Sequence, residues 1–162
     1  MALRNIIKDE DPFLRKTSRA VVVFDRRLHQ LLDDMAETMR AADGLGLAAV
    51  QIGVLRRVVT VEADGELIEL INPVILEQSE ETKEDAEGCL SFPGTFGLVE
   101  RSLRVRVQAQ DRHGALIIAE GEGLNARALL HEIAHLNGKL FVDLVTRYLD
   151  PEEIEQRKPE EE

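Results

Sequence analysis

Leu28, Leu31, Leu32, Met35 and Met39 recur at steps of three and four, with Arg26, Asp33, Asp34 and Glu37 between them. That is the period of a helix with one buried face, the charges covering the solvent side. Asp43-Gly44 is its expected stop, glycine accepting the left-handed cap. The pattern then changes. Residues 57–62 and 67–71 read as strands joined by a turn on Asp64-Gly65, and Asn72-Pro73 interrupts the second before Val74-Ile75-Leu76 resumes it. Residues 103–111 alternate strictly, turn at Arg112-His113-Gly114 and return through 116–120. Residues 124–137 form a second helix-compatible apolar run, preceded by Gly121-Glu122-Gly123 and capped by Gly138.

The remaining pieces are short. Asp11-Pro12 is a turn signal, Val21-Val22-Val23 and Phe141-Val142 read as brief extended segments, and the acidic stretch Glu77–Asp85 reads as a solvated loop. No internal repeat is visible. The order (helix, antiparallel strands, helix) predicts an α+β domain over residues 1–150, its strands packed around the second helix, with 151–162 a charged, fraying tail.

Composition narrows the function classes. The 162 residues are 44% hydrophobic and 31% charged, enough for one substantial core, and with only 4% aromatics that core is mainly aliphatic. The net charge of −11 is set against phosphate backbones, so no direct nucleic-acid partner is expected. Cys89 is the single cysteine, which fits a reducing compartment and leaves its thiol free. No apolar run reaches membrane-span length, and the chain turns acidic at Asp9 before a signal-peptide core can form. A cytoplasmic monomer without a membrane partner is expected.

The second helix carries His131-Glu132-Ile133-Ala134-His135. A spacing of four puts both histidines on one face, able to grip one cation, with Glu132 beside them to take a proton from metal-bound water. The bland alternative is a half-exposed helix with polar residues on one side. A third ligand decides between them. Gly138 fits one extended protease pattern, but Phe141 stands where its third histidine belongs. Glu155 lies at the distance another protease class uses, but in the charged tail; His29 and His113 sit in a surface-like helix and a hairpin turn, where solvation is expected. Cys89, between Gly88 and Leu90, is the stronger candidate, weighed against the ordinary fate of a free cysteine as a small buried hydrophobe. Gln51 is a lone amide in the glycine-rich stretch Gly44–Gly53 and needs a hydrogen-bond partner. That stretch lacks the endings of the nucleotide-binding glycine loops.

Gly44-Leu-Gly-Leu-Ala-Ala-Val-Gln51, Glu87-Gly-Cys-Leu-Ser91 and His131-Glu-Ile-Ala-His135 together resemble the three motifs of peptide deformylases, in order and spacing. Asp11-Pro12, Pro93-Gly94, Arg101 and Leu136–Asp143 extend the resemblance to about Asp150. It implies removal of the N-formyl group from newly made chains that begin with formylmethionine. It also implies a divalent cation on Cys89, His131 and His135: iron(II), often replaced by zinc, nickel or cobalt on purification. Glu132 becomes the proton carrier, while Gln51 and the Leu90 backbone N–H become oxyanion donors. Gly46 and Gly88 would let the substrate backbone pair as a strand, Leu45, Leu124 and Ala128 would line the methionine pocket, and Arg127 would stand at its mouth.

Three positions depart from the resemblance. Val50 and Leu130 are variations at places often held by other residues. Ala134 stands where aspartate is usual, and an aspartate there could support the geometry of His131. The tail departs too. Pro151–Glu162 carries six glutamates against Arg157 and Lys158, so tail-mediated ribosome binding is not expected. Two rival readings remain: an endopeptidase using Glu155, and a non-catalytic relative, for which Ala134 is the only feature in favour.

Overall fold

Asp25 opens helix α1 (Arg26–Ala41) by accepting a hydrogen bond from Leu28 N at 3.1 Å. In the computed structural model, which describes residues 2–157, α1 buries the expected apolar face: Leu28, Leu31, Leu32, Met35 and Met39 pack with Leu47, Val58 and Ile71. One expected surface charge is inside. Asp34 is only 2% exposed and accepts from Ala2 N at 2.7 Å, Arg4 Nε at 2.9 Å and Gln30 Nε2 at 2.8 Å. Burial alone would raise its pKa, but these donors hold it below the usual carboxylate range. Asp34 therefore pins the N-terminal strap to α1, a role its place in the helical period did not show. The residue that turns left-handed after α1 is Asp43, at φ 55°, rather than Gly44.

Two antiparallel sheets follow. The first has the order β1-β2-β3-β6-β7, from β1 (Gly46–Ala48), β2 (Val58–Ala63), β3 (Glu66–Gln78), β6 (Arg104–Gln110) and β7 (Leu116–Glu122). Ala63 pairs with Glu66, so the Asp64-Gly65 turn is where the sequence puts it. Asn72 takes φ 52° and the β3–β6 register slips between Ile71 and Val74, a bulge at the Asn-Pro interruption. The second sheet has the order β4-β5-β8, from β4 (Thr82–Cys89), β5 (Phe92–Ser102) and β8 (Arg147–Tyr148).

That second sheet corrects the acidic-loop expectation. Residues 82–85 of the acidic stretch are strand, with Lys83, Glu84 and Asp85 paired to Arg101, Glu100 and Val99. Charge hid it, because β4 is partly solvated and carries no apolar alternation. Phe141–Asp143 is a single 3-10 turn rather than an extended piece, and Val21–Val23 forms no strand, Val22 and Val23 being exposed.

Helix α2 (Leu124–His135) lies between the sheets. Ala126, Leu129, Leu130, Ile133 and Leu136 pack on Val59, Val61, Leu70, Val105 and Val107 of the large sheet. Each of the leucine, isoleucine and valine side chains contributes about 1.5–3 kcal/mol on burial. Phe92, Val99, Leu14, Leu140 and Phe141 form the core under the small sheet. The architecture is thus α+β, strands around the motif helix. Beyond it, the segment expected to fray forms α3 (Pro151–Arg157), with Asp150 accepting from Glu153 N at 2.9 Å and Arg147 pairing Glu153 at 2.8 Å. Residues 158–162 lie outside the described residues. No described helix is long and apolar enough to cross a membrane.

Gly138 follows α2 with φ 71°, and a Cβ there would run into the Arg15 carbonyl oxygen. Arg15 is itself tied to Asp143 by two bonds of 2.6 and 2.8 Å. Gly138→Ala is therefore expected to lower stability by about 1–3 kcal/mol, read as the midpoint shift in urea unfolding.

Candidate metal centre

The turn Leu90-Ser91 closes the β4–β5 hairpin, Cys89 pairing with Phe92 across it, so the only thiol stands at a hairpin tip. The tip faces α2. Cys89 Sγ lies 3.4 Å from His135 Nε2, and the candidate donor atoms of Cys89, His131 and His135 all fall within 4.8 Å of one another. Ligands bound at ordinary metal–sulfur and metal–nitrogen lengths sit roughly 3.5 Å apart, so one cation fits among them with a position left open. Two histidines, a cysteine sulfur and a neighbouring acid are the kind of donor set that catalytic divalent-metal sites use. A buried orphan supports the fit: Glu132 Oε1 has no hydrogen-bond partner.

Behind the ligands stands Glu87, 6% exposed. Its Oε2 meets His131 Nδ1 at 2.6 Å and takes Arg101 Nη2 at 2.6 Å; its Oε1 takes Arg101 Nε and Arg127 Nη1, both at 3.0 Å. Binding Nδ1 leaves Nε2 of His131 to face the cation. Burial works against ionised Glu87, but the hydrogen bonds from His131 and Arg101 prevail and lower its pKa to about 2.

Glu132 behaves in the opposite way. Burial raises its pKa to about 7; Glu87 adds to the rise, while His131 and Arg101 oppose it. A carboxyl poised there can both accept and return a proton near neutrality. Its Oε2 is 3.9 Å from His131 Nε2. Gly46 on the edge strand β1 makes room for it, since a Cβ there would come 2.6 Å from Glu132 Oε2.

Gln51 sits in the 3-10 turn after β1. Its Oε1 accepts from Ala48 N at 2.9 Å, satisfying local backbone, and its Nε2 turns to Ser91 Oγ at 3.0 Å and Cys89 Sγ at 3.6 Å. The amide is thus oriented with its donor end toward Cys89 and Ser91.

The polypeptide deformylase family model matches residues 3–149. The chain belongs to the peptide deformylase family. It is 56% identical to the peptide deformylase of Caldicellulosiruptor bescii, over 98% of this chain and 95% of that protein. Among solved structures, the Thermotoga maritima peptide deformylase superposes with a TM-score of 0.88 at 40% identity, covering 90% of this chain and 99% of that one. The Legionella pneumophila peptide deformylase gives 0.85 at 41% identity, over 98% and 100%. Peptide deformylases are metal-dependent hydrolases that remove the N-formyl group from nascent polypeptides, and this is the activity of the chain.

Most of the residues singled out in the sequence of this deformylase do converge. Cys89, Leu90, His131, His135, Glu132, Gln51 and Gly46 share one site. Gly88 lies in β4 directly before the thiol, its missing Cβ leaving space that Phe96 fills at 2.5 Å. Leu45 and Leu124 are 48% and 62% exposed, and Ala128 lies one turn before Glu132 on α2.

Arg127 is a correction. Expected at a pocket mouth, it is buried, donating to Glu87, to Val99 O at 2.8 Å and to Lys83 O at 2.8 Å. A guanidinium so fully engaged is a brace between α2 and the small sheet. Ala134 lines a cavity with Leu130, Ile133 and Arg101, and in this chain the carboxylate on His131 Nδ1 is that of Glu87. Glu155 is exposed on α3 and does not join the ligand cluster among the described residues. His113 is exposed as expected, but His29 meets Arg112 O at 2.8 Å. Sequence reasoning passed over Glu87 and Ser91 as site residues, although both flank Cys89 in its motif.

A depressed folded pKa for Glu87 means stability that is complete above the ordinary carboxyl value of 4.5 and lost as pH falls toward about 2. Glu87→Gln is expected to remove up to roughly 3 kcal/mol of that acid-sensitive stability. Thermal unfolding between pH 6 and pH 2.5 checks it (about the limits of that window); parallel curves for variant and wild type would contradict it.

Proposed function

We propose that Cys89, His131 and His135 hold one divalent cation, iron(II) in the cell and zinc, nickel or cobalt where these replace it. Glu132, Gln51 and the Leu90 N–H then act on the formyl group of a formylmethionyl chain. The single observation that carries this reading is the buried Glu132 carboxyl with one unpartnered oxygen, set beside three converging metal donors.

When bound, the cation supplies Lewis acidity toward the formyl carbonyl and makes water acidic enough to give up its proton. Glu132 takes that proton and hands it to the departing amine, a double duty suited to a pKa near neutrality. Gln51 Nε2 and the Leu90 N–H donate to the oxygen on which charge develops. β1 is an edge strand, so the substrate backbone adds beside Gly46, with Gly88 on the opposite wall. Leu45, Leu124 and Ala128 offer apolar surface for the methionine side chain. Formate and a free amine leave.

We further propose that the catalytic unit is the single domain to Asp150, working as a cytoplasmic monomer without direct contact to nucleic acid. The endopeptidase alternative is disfavoured by the position of Glu155. The non-catalytic one is disfavoured by Glu132 and Gln51, which a purely structural metal would not need.

Formate release from formyl-Met-Ala by protein prepared anaerobically with iron(II) tests the reading. Glu132→Gln is expected to keep its metal and lose about 10²–10⁴-fold in turnover; equal turnover would overturn the assignment. Gln51→Ala is expected to cost about 10²-fold or more in kcat. Truncation after Asp150 is expected to leave ribosome co-sedimentation at its background level, and a salt-sensitive signal lost on truncation would contradict the account of the tail.

A further inference from the structure

On the side of α2 away from the thiol, a cavity of about 510 Å³ opens between α2, β5 and the segment from Lys139 to Leu144. It takes no part in deformylation as derived above. Ala134 is in its wall and offers only a methyl group there. Leu130, Ile133 and Leu140 supply an aliphatic lining. Cavities with apolar walls and a few convergent polar groups are the usual form of small-ligand sites.

The polar group that makes this cavity selective is Arg101. It is only 9% exposed, yet it lines the space. Glu87 takes its Nε and Nη2, and among the described residues nothing accepts from Nη1. A guanidinium carries five N–H donors, so the outer edge of Arg101 keeps donors in the fork geometry that matches a carboxylate. Lys139 adds a second cation in the same wall. Two acids also line it. Asp143 is engaged by both terminal nitrogens of Arg15, and Glu100 is exposed on β5 opposite Glu84. Lys139 and Glu100 are both exposed, so the one buried charge in the wall with donors to spare is Arg101.

We propose that this cavity binds a short aliphatic monocarboxylate, its head on the free edge of Arg101 and Lys139, its tail over Ala134 against Leu130, Ile133 and Leu140. A formate ion has the right head but no tail to bury. A chain of about three methylene or methyl groups would add roughly 0.8 kcal/mol for each one buried. The occupant shares Arg101 with the Glu87–His131 pair, so binding stiffens the support of one metal ligand without touching the open side of the centre.

The test uses the full, metal-loaded chain and sodium butyrate, with sodium chloride holding ionic strength constant. Saturation-transfer NMR on butyrate reads binding, and the unfolding midpoint reads its consequence. Wild type is expected to show saturable binding that raises the midpoint, with formate at least about tenfold weaker. Ala134→Leu fills the part of the cavity where the tail would lie and is expected to abolish the butyrate signal. Ala134→Val serves the same purpose should leucine not fold, and Lys139→Gln is expected to weaken binding by about threefold or more. Binding unchanged in the filled variants would place butyrate elsewhere, the metal centre included, and overturn the proposal. So would an absence of saturable binding in wild type.

Discussion

One buried carboxylate organises this molecule. Glu87 faces His131 and receives two guanidinium groups in a space that water scarcely reaches. A lone charge there would be costly, and a carboxylate with three charge-assisted partners is a tight structural joint. Its partners lie on separate elements. Arg101 is on β5, and His131 and Arg127 are on α2, so the joint locks the motif helix to the small sheet. Arg127 extends the lock by reaching the backbone of Lys83 and Val99.

The catalytic geometry follows from that joint together with the large sheet. Aliphatic packing sets the height of α2 above β2 and β6, which is a non-directional force; the Glu87 network sets its rotation and its distance from the β4–β5 tip. Cys89 can then meet two histidines that lie a turn apart on the helix. Burial pushes both carboxyls up; the hydrogen bonds and charges of His131 and Arg101 override it at Glu87, whereas Glu132, without such hydrogen bonds, stays near neutrality. Two carboxylates a few ångströms from His131 thus sit in opposite states, one held as a fixed anion and one poised near neutrality, as the proposed proton carrier requires.

The chemistry was legible in the chain because it depends on residue type and spacing. The histidine pair, the glutamate between them and the single cysteine announce themselves at period four or by scarcity. The strands of the large sheet showed through alternation, and α1 through its apolar stripe. What stayed hidden depends on partners distant in sequence. Asp34 reads as a surface charge, and Arg127 as a pocket-mouth residue, until Arg4 and Glu87 are placed beside them. The strand β4 reads as an acidic loop because pairing with β5, not an apolar face, makes it a strand. Ala134 drew notice in the sequence as a departure at His131, and only the third dimension shows that Glu87 bonds His131 Nδ1 while Ala134 lines a cavity.

The most direct measurement is the metal dissociation constant of Glu87→Gln against wild type, by chelator competition with zinc as the probe. If Glu87 orients His131, the variant keeps every ligand yet binds zinc about 10–100-fold more weakly. Equal affinity in the two proteins would mean that packing alone sets the ligand geometry, and the central role given to Glu87 would be wrong.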